Sequence, residues 1–201
     1  RDDVESRGLG DVYKRQTTIY VTVEVSSSIL LLPEVPMTGR LDNPRVGYFT
    51  NPLTNFSDGQ QRVNKKQFIT RWRLEPRPED RAAYLRGELV EPRKPIVFYI
   101  ENSTPYRWRK YIKQGIEDWQ VAFERAGFKN AIIAKDITED MEVDMDDVNY
   151  SVLTYAASTK ANAMGPSILD PRSGEILEAD IMWWHNVLSM LQEWITVPVS
   201  Y

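Results

Sequence analysis

Ile19, Val21, Val23 and Val25 alternate with Tyr20, Thr22 and Glu24, and this period of two predicts a half-buried strand at residues 19–25. Residues 29–32 form a short apolar run that Pro33 stops. The next stretch, 33–52, is rich in Pro, Gly and Asn and predicts two or three turns, with a short strand at 46–50. Residues 66–74 predict another strand, with Phe68, Thr70 and Trp72 on one face and Ile69, Arg71 and Arg73 on the other. A short helix is expected at 79–85, followed by a loop.

The composition shifts at 92–95, and the pattern changes with it. Residues 96–100 are continuously apolar, as in a central strand covered on both faces. Trp108, Tyr111, Ile112, Ile116, Trp119, Ala122, Phe123 and Ala126 then recur at three- and four-residue spacing, which predicts one long amphipathic helix. Thr104 is its expected N-cap, Pro105 its first helical residue and Gly127 its left-handed terminator. Residues 131–134 make the next strand, so strand, helix and strand form a βαβ unit with parallel pairing. An acidic stretch, 136–147, contains no Lys or Arg. Beyond it the pattern predicts a strand at 150–156, extended chain at 162–169, a tight turn at 170–174, a strand at 175–183 and a helix at 185–195. In the 175–183 strand, Ile176, Glu178, Asp180 and Met182 fall on one face. Leu177, Ala179, Ile181 and Trp183 fall on the other.

The chain therefore divides into a β-rich segment, 17–93, and an α/β segment, 94–197. Residues 1–16 (RDDVESRGLGDVYKRQ) follow neither period and read as a translated sequencing adapter; 198–201 read as the start of a similar tail. The expectation is that both ends are non-native and that the parent protein continues in both directions.

Composition narrows the chemistry. Of 201 residues, 42% are apolar, enough for a sizeable core. A net charge of −4 with well-mixed signs argues against a nucleic-acid partner, because phosphates select a basic face. The absence of cysteine excludes disulfides and thiolate metal sites. No apolar run approaches the roughly 20 residues that span a bilayer. His185 is the sole histidine, and one His cannot supply a zinc or iron ligand set; a structural hydrogen-bonding role is expected. The acidic stretch lacks the order and the glycine of a calcium loop and reads as solvated. Glu175, Glu178 and Asp180 suggest a carboxylate pair, but alternation places Glu178 and Asp180 on a solvated strand face rather than in a glycosidase site. A Gly-rich phosphate loop, a G-x-S-x-G elbow and a Cys–His pair are all missing. Tryptophans at helical spacing are expected in the core.

Four strings, taken together, are more specific: LPEVPMTGRLDNPRVGYFT (32–50), FITRWRLEP (68–76), IENSTPYRWRKYIKQGIEDWQVAFERAGFKNAI (100–132) and MGPSILDPRSGEILEADIMWW (164–184). They resemble the large bacterial zinc-dependent metallopeptidases of the Met-zincin, or metzincin-like, type. Asn149 departs from the family's D-x-R-Y-S string, where Arg is expected. The resemblance implies an α/β (α+β) fold: an incomplete metzincin-like mixed sheet with a long N-terminal helix, preceded by a β-rich segment. The family's element order is strand, long helix, parallel strands, antiparallel edge strand, last strand and then a zinc helix carrying H-E-x-x-H-x-x-G-x-x-H. That motif does not occur here, so zinc belongs to the full-length parent and none is bound by this fragment, which is expected to be inactive alone. Without the zinc helix one sheet face would be uncovered, and marginal stability is expected. The edge strand that pairs with a peptide or protein substrate is assigned to Ala163, Met164, Gly165, Pro166 and Ser167, with 175–183 as the alternative. A secreted, periplasmic or cell-surface location follows from the resemblance alone. Two rival readings are a non-catalytic bacterial surface binding module and a propeptide-like structural domain.

Overall fold

A computed structural model describes residues 27–56, 59, 63–138, 140, 141, 143 and 147–197. The strand expected at 19–25, both terminal segments and part of the acidic stretch lie outside the described residues. The fold is mixed α+β. Strands β1 (Thr50–Asn55) and β2 (Asn64–Ile69) form an antiparallel pair, Thr50 opposite Ile69 and Asn55 opposite Asn64. The strand expected at 46–50 is displaced along the chain. Val46 N–H donates to the Asn43 carbonyl at 2.9 Å, so the chain turns here and extends only from Thr50. The strand expected at 66–74 is also broken. Thr70 N–H turns to the Phe49 carbonyl (2.9 Å) and Arg71 N–H to the Gly174 carbonyl (3.1 Å), so β3 (Arg71–Trp72) leaves its hairpin and joins another sheet. Helix α1 (Arg81–Leu85) follows.

The βαβ unit forms as the periodicity predicts. Strand β4 (Ile96–Ile100) buries Ile96, Phe98 and Ile100. It pairs in parallel with β5 (Ile132–Asp136), Ile96 opposite Ile132. Between them the single expected helix is two: α2 (Tyr106–Glu117) and α3 (Gln120–Arg125). The break coincides with two side chains that fasten the helices to β5 and the chain leading into it. Glu117 Oε1 accepts from Ala134 N–H at 3.3 Å, and Gln120 Oε1 accepts from Ala131 N–H at 2.9 Å while its Nε2 donates to the Phe128 carbonyl. Trp119 sits at the break and is 65% exposed, contrary to the core position expected from its spacing. The helix start also differs. Pro105 is extended (φ −57°, ψ 132°) in the cap position, and Thr104 is buried with its Oγ1 unpartnered. Arg109 shapes this corner instead, donating to the Thr104 and Asn102 carbonyls at 2.9 and 2.8 Å. At the far end Gly127 is left-handed (φ 93°), as expected, and Phe128 N–H folds back to the Phe123 carbonyl. The main core joins Ile96, Phe98 and Ile100 to Ile112 and Ile116 of α2, Ala134 and Leu153.

The remaining strands are β6 (Ser151–Ala156), β7 (Ala163–Met164), β8 (Ser167–Asp170), β9 (Glu175–Ala179) and β10 (Ile181–Trp184), with helix α4 (Val187–Thr196) after them. One sheet has the order β5-β4-β6-β10-β7; its first four members are parallel and β7 runs antiparallel at the edge. A second sheet has the order β3-β9-β8, so chain from either side of the 92–95 shift shares it. The strand expected at 175–183 is thus split at Asp180 between two sheets. In α4 the predicted apolar stripe exists but is only half used: Val187 is buried, whereas Trp194 and Ile195 are 68% and 85% exposed. Among the described residues no helix is long and apolar enough to cross a membrane.

Candidate functional site

The five residues assigned to the substrate edge do not act as one strand. Ala163 and Met164 form β7, opposite Trp183 and Met182 of β10, and among the described residues no further strand lies beyond them in the sheet. Trp184 N–H donates to the Asn162 carbonyl at 3.2 Å, so by antiparallel alternation Ala163 and Gly165 turn their backbone groups to the free side. Ala163 N–H is engaged by Asn162 Oδ1 at 2.9 Å. Gly165 and Pro166 lead off the edge, and the Pro166 carbonyl accepts from Asp180 N–H at 3.0 Å. Ser167 belongs to β8 and faces Ala179 in the second sheet. All five residues are exposed. An exposed, short, antiparallel edge can add a further extended strand through its unpaired N–H and C=O groups.

The alternative edge, 175–183, lies inside the molecule. Strand β9 is flanked by β3 and β8, and β10 by β6 and β7. The solvated face expected for Glu178 is also wrong. Glu175 and Glu178 are each only 6% exposed. Register explains it: Asp170 pairs with Glu175, Leu169 with Ile176, and Ile168 with Glu178. Leu177 is therefore the extra residue of a β-bulge. Because Asp170 and Ile168 share a face, the bulge turns Glu175 and Glu178 to one face, where strict alternation puts them on opposite faces.

The bend at Asp180 is tied down by three bonds. Asp180 Oδ1 accepts from Val152 N–H (2.8 Å), Ser151 Oγ accepts from Ala179 N–H (3.1 Å), and Asp180 N–H donates to Pro166. Burial, then a hydrogen bond and the negative charge of Asp180, push the Glu178 carboxyl up to about 8. At the tip of the β8–β9 turn, the Arg172 guanidinium grips the fully buried Asp170 carboxylate (2.7 Å) and holds it below its ordinary range. Arginine also fixes the segment that precedes β1: Arg172, Arg73 and Arg71 donate to the carbonyls of Pro33, Val35 and Thr38 at 2.7, 3.0 and 2.7 Å.

His185 precedes α4 and hydrogen-bonds through Nδ1 to the Tyr155 hydroxyl, while its N–H donates to the Ala156 carbonyl at 3.0 Å. This is the structural hydrogen-bonding arrangement expected of it. Asn149, the departure from the family string, makes its own local link: its side chain donates to Asp147 Oδ1 at 2.7 Å. In the described part of the acidic stretch, a Thr138 side-chain hydrogen bond lowers Asp140. Among the described residues no group of three or more His, Asp or Glu side chains is placed to hold a metal ion.

Sequence periodicity missed the buried Glu175–Glu178 face, and no signal in the chain announces a bulge at Leu177. Comparison with known proteins adds one finding. A family model described as a domain of unknown function, DUF5117, matches residues 6–77, a stretch that includes β1 to β3 and the arginine-held segment before them. No curated protein and no solved structure matches the chain.

Proposed function

We propose that this chain is the forward part of a bacterial zinc endopeptidase of the secreted or surface type, supplying the sheet scaffold and the edge against which an extended peptide lies. The observation that carries the reading is the element order of the five-stranded sheet. Parallel strand, helices and parallel strands lead to a single antiparallel edge and a last strand, the order that the resemblance implies up to its zinc helix; α4, which follows, carries no H-E-x-x-H. The outward backbone groups of Gly165 and the outward carbonyl of Ala163 are what β-addition of a substrate needs, the Ala163 N–H being taken by Asn162 Oδ1. The described residues hold no zinc ligand set, so the metal and the water it activates belong to further residues of the parent, and this chain's part is binding and orientation.

The test uses the parent protein with its downstream segment. It is expected to hydrolyse casein, with loss of activity on chelation and recovery with zinc. Replacing Gly165 with Pro removes an outward N–H without taking a ladder bond from β10. That change is expected to lower kcat/KM by about tenfold, the size of one lost charge-free hydrogen bond in the bound state. Chelator-insensitive or absent hydrolysis by the parent defeats the reading. Unchanged kcat/KM in the Gly165→Pro enzyme removes the edge assignment. Ser167 is not a fair test site, because proline there breaks the second sheet.

A further inference from the structure

Strands β6 and β10 pair in parallel, and beyond their carboxyl ends lies one open cleft of about 320 Å³. Ala157, Ser158 and Thr159 line it from the chain leaving β6, and His185 and Asn186 from the chain leaving β10. Four of these five side chains can donate a hydrogen bond, and among the described residues no carboxylate lines the cleft. Ser158 and Thr159 are exposed and His185 and Asn186 half-buried, so the donors are open to solvent. Internal bonds hold them in place. Asn186 Nδ2 donates to the Thr159 carbonyl at 3.0 Å, which ties the two lining segments together. Ser158 Oγ accepts from the Lys160 N–H at 3.2 Å and so keeps its own O–H to give. His185 Nδ1 is spent on the Tyr155 hydroxyl, and among the described residues nothing meets Nε2. With Tyr155 donating to Nδ1, Nε2 carries the ring hydrogen. Lys160 follows in the same loop. Its ammonium lies 4.3 Å from the centre of the Trp184 ring, and among the described residues no carboxylate pairs with it.

We propose that this cleft binds a carboxylate group, held by His185 Nε2–H and the Ser158 hydroxyl, with Lys160 supplying the neutralising charge. Accessible donors beside an unpaired cation, with no acidic side chain among them, are the complement of an anion. One ammonium and neutral donors suit a single negative charge. A phosphate dianion calls for the arginine fork that this cleft lacks. The open mouth admits a carboxylate that ends a chain or one carried on a short acidic side chain. The site stands on the ends of β6 and β10 rather than on the outer side of β7, and it does not depend on peptidase activity.

His185 is the sole histidine of the 201 residues, so its ring signals are unambiguous in nitrogen–proton correlation spectra of the whole chain. The test follows them at fixed pH and ionic strength while sodium acetate replaces sodium chloride. A saturable shift of the His185 ring signals is expected, with shifts of the Ser158 and Thr159 amides alongside. Acetyl-glycine and the α-amide of acetyl-glutamate tell a chain terminus from an acidic side chain as the natural source; saturation by either supports the site. Ser158→Ala is expected to raise the acetate Kd by about fivefold, the size of one neutral hydrogen bond, and Lys160→Met by about threefold. Both positions are exposed, so neither change removes core packing. Absence of a saturable shift with every carboxylate overturns the proposal, as does an equal response to neutral acetamide. Tighter binding of inorganic phosphate than of acetate overturns it too, because the cleft would then be built for a dianion. So does an acetate affinity unchanged in both variants.

Discussion

Glu178 makes the stability of this protein fall as pH rises, and Glu178→Gln removes that dependence. The carboxyl is 6% exposed and pushed from 4.5 up to about 8, by burial first and Asp180 second. Unfolded, the same group gives up its proton near 4.5. Between these values the folded state holds a proton that the unfolded state has released, so stability falls with pH across that window. At about 1.4 kcal/mol per pH unit the ceiling is ~5 kcal/mol. The adjoining cavity of about 230 Å³ admits water, which relaxes the penalty, and roughly half, ~2–3 kcal/mol, is the expected loss. Glutamine keeps the shape and a donor towards Asp180 but cannot ionise. Urea unfolding of both proteins from pH 5 to pH 9 reads the effect. The two curves should lie closest at pH 5, separate progressively as pH rises and level off above about pH 8, with the variant then the more stable by ~2–3 kcal/mol. Parallel curves across the whole range would refute the reasoning, because they would mean that Glu178 ionises alike in both states.

Other residues give sharper structural checks. Ile100 is fully buried in the main core, so Ile100→Ala should cost about 2–5 kcal/mol in denaturant unfolding, and a loss below ~1 kcal/mol would show that the sheet does not pack on α2 there. Gly174 is left-handed (φ 75°), and a Cβ there would meet the Ile69 carbonyl oxygen at 2.5 Å. The obstacle is backbone, so Gly174→Ala should lower stability by at least about 2 kcal/mol, read as a drop in melting temperature; an unchanged melt contradicts the turn geometry. Trp194→Ser with Ile195→Ser changes two exposed positions of α4 and should leave unfolding free energy within about 0.5 kcal/mol of the parent chain while raising solubility. A larger loss would mean that these side chains are packed.

Much of the α/β segment was legible because its signals are local. The run at 96–100 reads as a covered strand because residues on both faces must be apolar there, and Gly127 ends a helix because only glycine takes φ 93° without strain. The parallel pairing of β4 with β5 follows from the handedness of a βαβ crossover. Local sequence determined these elements and the extended chain at 162–169; that Ala163 and Met164 form an antiparallel edge is seen only in the pairing with β10. Tertiary structure alone decided where elements break: at Thr70, at Asp118 and Trp119, and at Asp180, backbone or side-chain groups found partners in distant strands. It also decided the environment of Glu175 and Glu178. A strand's alternation can be counted along the chain, but the extra residue at Leu177 exists only relative to β8, its partner across the sheet. One bulge reverses every face beyond it, and so two carboxyl groups that alternation sends to opposite sides end together in the interior.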